Sequence, residues 1–428
     1  MICAIDRAAI SVAILPMSDE YGWSDTTKGA INSAFYAGYT VTNFIGGYLA
    51  STVGAKRTLG AGVMVWSFFT MLTPAAAATR SMPALLATRG LMGCGEGTAY
   101  PCVQSVVKGW VPPDARSRAL TLVYSGGQLG TILALLTAPI IIDHLGWPAV
   151  FTVYGSLGLV WLAAWQPLAA AAEADEAALA HGGAAAPLAG ASGGGGGGGG
   201  VALVSGDDTA SAEAMPSFWA LPWRRFFTNK PFLGIVAAHS MFGSGHYIII
   251  SWLPTFYHQA FDLDVTLSAT LSVVPWLAGV VVSAGSGVLA DHLMNSGTLD
   301  TTATRKLMQT AGSVLPAICL FALAAAQESG LGLGPALALL VGGVALGNFQ
   351  SAGFASNHQD IAGPRYAPVL FGCTNALSSL VGSASVYATG AMLDAGYSWG
   401  AVFQLVALLY LLGAAGYLAL GSGERQFE

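Results

Sequence analysis

Apolar residues gather along this chain in twelve blocks, at 1–18, 28–50, 58–77, 82–107, 118–142 and 148–167, then at 231–257, 267–291, 307–326, 333–356, 367–393 and 398–420. Most reach about 20 residues, the length at which a helix rising ~1.5 Å per residue crosses a ~30 Å hydrocarbon layer. The pattern predicts an all-α polytopic membrane protein with twelve transmembrane helices in two six-helix halves, 1–167 and 230–428. The first block is short for that layer and starts at residue 1 with no polar leader. We therefore expect a truncated first helix, and the missing leader says nothing about compartment.

Between the halves, 168–229 is Ala-rich, carries eight consecutive glycines at 193–200 and stays polar to Ala214. Such a segment buries too little to order itself, so a flexible linker is expected. Its end, 216–230, holds Trp219, Trp223, Arg224 and Arg225 and reads as an amphipathic piece at the membrane surface.

Cations settle the orientation. Lys56, Arg57, Lys108, Arg116, Arg118, Arg224, Arg225, Lys230, Arg305, Lys306, Arg365 and Arg425 lie in the even-numbered loops, the linker region and the tail, and make up 12 of the 16 Lys and Arg. By the positive-inside rule those segments face the cytoplasm, or the equivalent side of an organelle. The halves also echo each other: Asp143 and Trp147 after the fifth block match Asp394 and Trp399 after the eleventh, and GGYLAS at 46–51 matches SGVLAD at 286–291. Parallel halves with a site between them are a transporter plan.

Composition narrows the classes. Residues are 54% hydrophobic and 9% charged, against about 25% charged in soluble domains. A net charge of -6 argues against a nucleic-acid partner. Cys3, Cys94, Cys102, Cys319 and Cys373 fall in apolar blocks without metal-ligand spacing, so neither disulfides nor a metal are implied. No HExxH, GxSxG or clustered His/Asp set marks an enzyme.

Chemistry concentrates at 89–105, RGLMGCGEGTAYPCVQS, where Arg89 and Glu96 sit inside an apolar block. Seven residues apart, they share one helix face about two turns from each other, so one anion could lie beside both. An ionisable group at the centre of a spanning helix costs roughly 2.5–3.5 kcal/mol on insertion scales, and it normally faces a water path or a partner. Gly93 and Gly97 form a GxxxG that lets a neighbouring backbone approach. The alternative is that Arg89 and Glu96 simply lock helices together. Asp6 and Arg7 form a second pair, pointing about 100° apart, so that one can address substrate and the other a coupling ion, unless both snorkel to water.

Together, Asp6-Arg7, FYAGYTVTNFIGGYLAS, RGLMGCGEGTAYP, WVPPDARSRA, SGGQLG and NHQDIAGPRYAPVLFGCTN resemble the anion:cation symporter family of the major facilitator superfamily, solute carrier family 17. The match covers both halves outside the linker, and NHQD with PRYA resembles the plant plastid branch. The resemblance implies that Arg7 and Arg89 hold an anion, with Asp6 and Glu96 as coupling carboxylates for H+ or Na+. It also implies polar substrate contacts from Gln128 and Asn375, residues that otherwise read as helix–helix hydrogen bonds. Two positions depart from related patterns: Ser51 stands where the superfamily has Asp, which implies altered gating, and Phe242 lies near where the glutamate-transporter branch has an arginine, which disfavours glutamate. His239 and His246 could titrate near neutrality, but read better as hydrogen-bonded packing residues.

The expected function is alternating-access transport of a small anion, inorganic phosphate first and ascorbate, a sugar acid or an acidic sugar second, by a monomer needing no cofactor beyond the co-transported ion. A non-transporting anion sensor is the other class, and the presence of both carboxylates favours transport. A plastid or other organelle membrane is expected, with the plasma membrane as alternative.

Overall fold

Each apolar block becomes helix, and the turn chemistry between blocks explains where each helix stops. The computed structural model describes residues 1–111, 116–180, 218–330 and 332–427. The first half comprises α1 (Ile2–Tyr21), α2 (Asp25–Leu49), α3 (Ala55–Ala78), α4 (Met82–Glu96), α5 (Ala99–Trp110), α6 (Arg116–Leu145) and α7 (Trp147–Ala180). A short α8 (Trp223–Thr228) precedes α9 (Lys230–Phe261), α10 (Val265–Asn295), α11 (Thr301–Glu328), α12 (Leu333–Ala345), α13 (Phe354–Asp394) and α14 (Trp399–Leu420). Gly22 ends α1 in the left-handed conformation, at φ 67°. Ser24, Asn229, Asp264, Asp300 and Ser398 cap the next starts by accepting a backbone N–H in the first turn.

Two spans are each built from more than one helix. The fourth is α4 and α5, broken at Gly97 and Thr98 just before Pro101, whose ring and missing N–H cannot continue the ladder. The tenth is α12, a tight turn over Leu346–Ser351, and the first part of α13. Although α13 is an unbroken run of helical turns, it cannot be straight. His358 and Thr374, sixteen residues apart, lie within 2.8 Å across a hydrogen bond, whereas a straight helix would hold them about 24 Å apart. The chain therefore reverses between them, the second part of α13 is the eleventh span, and twelve spans result.

One expectation needs correction. The sixth helix does not stop at residue 167 but runs past Pro167 to Ala180, thirteen residues (168–180) into the segment expected to be linker. The rest of that expected linker, 181–217, lies outside the described residues, while α8 and the exposed Trp219 occupy its end. The first helix, α1, has 20 residues and covers about 30 Å.

Within the first half, α2 and α3 pack on α4, α1 on α6 and α3 on α7; in the second, α9 packs on α13 and α14, and α11 on α14. The halves meet where α2 faces α13, α1 faces α9 and α6 faces α10. At the end remote from the linker they are clasped. The Asp394 carboxylate accepts the backbone N–H of Asp25 (3.0 Å) and Thr26 (2.8 Å) at the start of α2. Among the described residues its counterpart Asp143 accepts only the Thr266 hydroxyl, at 3.3 Å, at the start of α10. The matched tryptophans do matched work as well: Trp147 donates to Glu20 at the end of α1, and Trp399 to Gln259 at the end of α9. Deeper in, Ser33 and Ser383 each donate to the other's carbonyl, at 2.8 and 2.9 Å. The sequence echo thus marks equivalent corners of two related halves.

Candidate functional site

Glycine on α4 decides how the site is assembled. A Cβ at Gly93 would run into the Phe35 carbonyl and the Tyr39 N–H, one at Gly97 into the Tyr39 carbonyl, and one at Gly38 into the Gly90 carbonyl. Only glycine allows that approach, so the GxxxG draws α2 against α4 as its spacing predicts. The polar faces of α1, α2 and α4 then close around four ionisable residues. Asp6, Arg89 and Glu96 are each 1% exposed, and the Arg7 side chain, at 16%, is the one that reaches solvent.

Their pairing differs from the expectation that Arg89 and Glu96 act together along one helix. Glu96 forms its ion pair with Arg7 of α1, Oε1 accepting from Nη2, and its buried Oε2 has no hydrogen-bond partner among the described residues. Asp6 has both carboxylate oxygens buried and without a hydrogen-bond partner among the described residues, within electrostatic reach of Glu96 and Arg89. Arg89 makes one hydrogen bond among the described residues, Nη1 to the Met92 thioether at 2.9 Å, and its Nε is buried without a partner. A guanidinium has five N–H donors and a thioether is a weak acceptor, so the protein leaves most of this cation's capacity unused. Two cations against two carboxylates sum to zero formal charge, which is how the bundle tolerates all four at depth.

The remaining predicted contacts separate. Asn375 on α13 reaches across from the second half, Nδ2 donating to the Tyr39 hydroxyl at 3.5 Å, and Tyr39 in turn lies over the Arg7 guanidinium, 5.0 Å from Cζ to ring centroid. Gln128, half-buried on α6, forms no hydrogen bond among the described residues, so nothing ties it to the arginines. His239 is a packing residue in the expected sense: its Nδ1 shares the Thr374 hydroxyl with His358 Nε2, at 3.0 and 2.8 Å, over the Phe354 ring. His246 packs edge-on against Trp276. The side chain of Ser51 lies outside the description, and Phe242 stacks among His246, Phe354 and Tyr410.

Missed in the sequence were the aromatics around the charges. Phe35 and Tyr39 are one turn apart on α2, beside Tyr36, which packs on Tyr247 of α9 at 4.4 Å between centroids. The i, i+4 spacing inside FYAGY could have exposed that face.

Comparisons with known proteins show the family and the fold. Residues 1–386 match the family described as Major Facilitator Superfamily. The sequence is 38% identical to the chloroplastic sodium-dependent phosphate transport protein 1 of Arabidopsis thaliana, over 99% of this chain and 77% of that protein. It is 36% identical to the chloroplastic ascorbate transporter of the same plant, over 99% and 73%. In fold it resembles an inward-open xylose transporter from E. coli, with a TM-score of 0.67 at 13% identity, covering 98% of this chain and 93% of that one. On the family match and those relatives, the chain is a multi-pass membrane protein that belongs to the major facilitator superfamily, in its anion:cation symporter branch.

Proposed function

We propose that the chain is a secondary active transporter of a small anion, working by alternating access, and not an enzyme. One observation carries the reading: Arg89, fully buried, whose protein partners leave its oxyanion-binding fork largely unused. In the bound state the anion takes hydrogen bonds from Arg89 and competes with Glu96 for Arg7, while Asn375 contributes from the second half. Glu96 and Asp6 then carry the coupling H+ or Na+ that keeps the loaded centre near neutral while the halves rock and the Asp394 clasp opens. Gln128 serves as a further polar contact when α6 moves inward. Inorganic phosphate is the favoured substrate, supported by the name of the 38% identical Arabidopsis relative. Ascorbate is the second reading, supported by the 36% identical one, with sugar acids of similar size beside it. The chloroplastic location in both names supports a plastid membrane for this chain, where it acts as a monomer.

Counterflow in liposomes tests this. Protein-loaded vesicles preloaded with phosphate should take up labelled phosphate, and unlabelled anions added outside should compete in the order of their fit. Labelled phosphate entering only passively, with ascorbate and gluconate equally silent, would leave an anion-binding sensor as the better account.

A further inference from the structure

Two arginines on different helices share one aromatic ring. The Cζ atoms of Arg7 on α1 and Arg89 on α4 each lie 5.5 Å from the centroid of Phe35 on α2. Arg7 is also 5.0 Å from the Tyr39 ring, which stacks on Phe35 with centroids 6.0 Å apart and planes 29° from parallel. A cation within about 6 Å of a ring is attracted by its quadrupole, the more so when both are removed from water. Phe35 is 1% exposed, so it touches neither solvent nor anything dissolved in it. Its influence passes through the guanidiniums.

The ring's place is fixed by backbone rather than by side-chain choice. Gly93 abuts the Phe35 carbonyl itself, and Gly38, one turn further along α2, abuts Gly90, so the α2–α4 distance is set by main-chain contact at Phe35 and in the turn after it. Because both cations are tied to one centroid, their Cζ atoms can be no more than twice 5.5 Å apart. One compact oxyanion, or the acidic end of a small organic acid, can take hydrogen bonds from both; a longer dianion with separated charges cannot use both forks without displacing one from the ring.

We propose that Phe35 is a positioning residue that spaces Arg7 and Arg89 and so decides which anions they bind together. This rests on the anion-transport reading above. Three purified proteins in liposomes test it: the parent, Phe35→Leu, which removes the π face, and Phe35→Tyr, which keeps it. Phosphate and ascorbate uptake are measured with a competition series of dianions of increasing length. The Leu variant should raise the KM for phosphate about tenfold, equivalent to about 1.4 kcal/mol, flatten the preference for compact anions, and keep its maximal rate. The Tyr variant should stay close to the parent. A residue that merely packs would alter melting temperature and maximal rate while leaving KM and the competition order alone, and that result overturns the proposal. If the Leu variant does not fold, Phe35→Met, of similar volume and without a ring, is held to the same criteria. A parent that moves neither anion overturns the transport reading and the spacer with it; a parent that transports beside a Leu variant of unchanged KM overturns the spacer alone.

Discussion

The two halves share a scaffold yet meet the centre with different chemistry. From the first half come Asp6, Arg7, Arg89 and Glu96, all at depth. In the second half the described Lys, Arg, Asp and Glu stay near helix ends, as with Arg305 paired to Asp360 at 2.6 Å, and the centre receives Asn375 and Tyr247. One half therefore holds charge that balances itself, and the other supplies a neutral wall that closes on it. Their outer corners differ in the opposite sense, because the second half's Asp394 grips α2 by two backbone N–H groups where the first half's Asp143 holds one hydroxyl. Affinity should follow the first asymmetry and gating the second.

The largest effect should come from Arg89→Lys. A lysine offers a point charge in place of a planar fork, and losing a charge-assisted hydrogen bond costs about 1.5–3 kcal/mol, or about 10- to 150-fold in phosphate uptake. Expression and melting temperature should stay near parental. Uptake close to normal would make Arg89 a helix lock and erase the difference between the halves.

Asp394→Asn comes next. An anion at a helix start contributes about 0.3–1 kcal/mol, so weakening the clasp should shift the resting population severalfold toward the state open at that end. Alkylation of Ser33→Cys in a cysteine-free background, by a reagent confined to that side, reads the change. Asp143→Asn should leave the rate almost untouched, and equal rates in the two variants would show that the corners do not differ. Smallest is Asn375→Ala, where a neutral contact of about 0.5–1.5 kcal/mol is lost and the phosphate KM should rise a few-fold with the maximal rate kept. A loss as deep as that of Arg89→Lys would place affinity in both halves.

Much of this architecture is legible in the sequence, because length and hydropathy specify spans whatever their neighbours do. Arg89, Glu96, Asp6 and Arg7 stand out for the same reason, as charges where charge is costly. Which of them pair is not legible: Glu96 meets Arg7 because α1 and α4 approach through α2, and no spacing within one helix encodes that contact. NHQD shows the converse. A motif that carries the family resemblance proves to be cement away from the central charges, with Asn357 on Tyr417 at 2.6 Å, His358 on Thr374 and Asp360 on Arg305. Pro167 invites a helix stop at a linker of low complexity, but α7 passes through it and runs thirteen residues further (168–180), to Ala180.

Glu96→Gln tests most directly whether the charged face of the first half couples anion movement to an ion gradient. Glutamine keeps the shape of the carboxyl but cannot take up and release a proton, and it frees Arg7 from its ion pair. Purified protein in liposomes is assayed for phosphate exchange at equal pH and for accumulation under an inward proton gradient. The variant should exchange phosphate at a rate comparable to the parent while losing gradient-driven accumulation. Accumulation equal to the parent's would contradict the account and leave Na+ coupling away from Glu96, or movement driven by membrane potential, in its place.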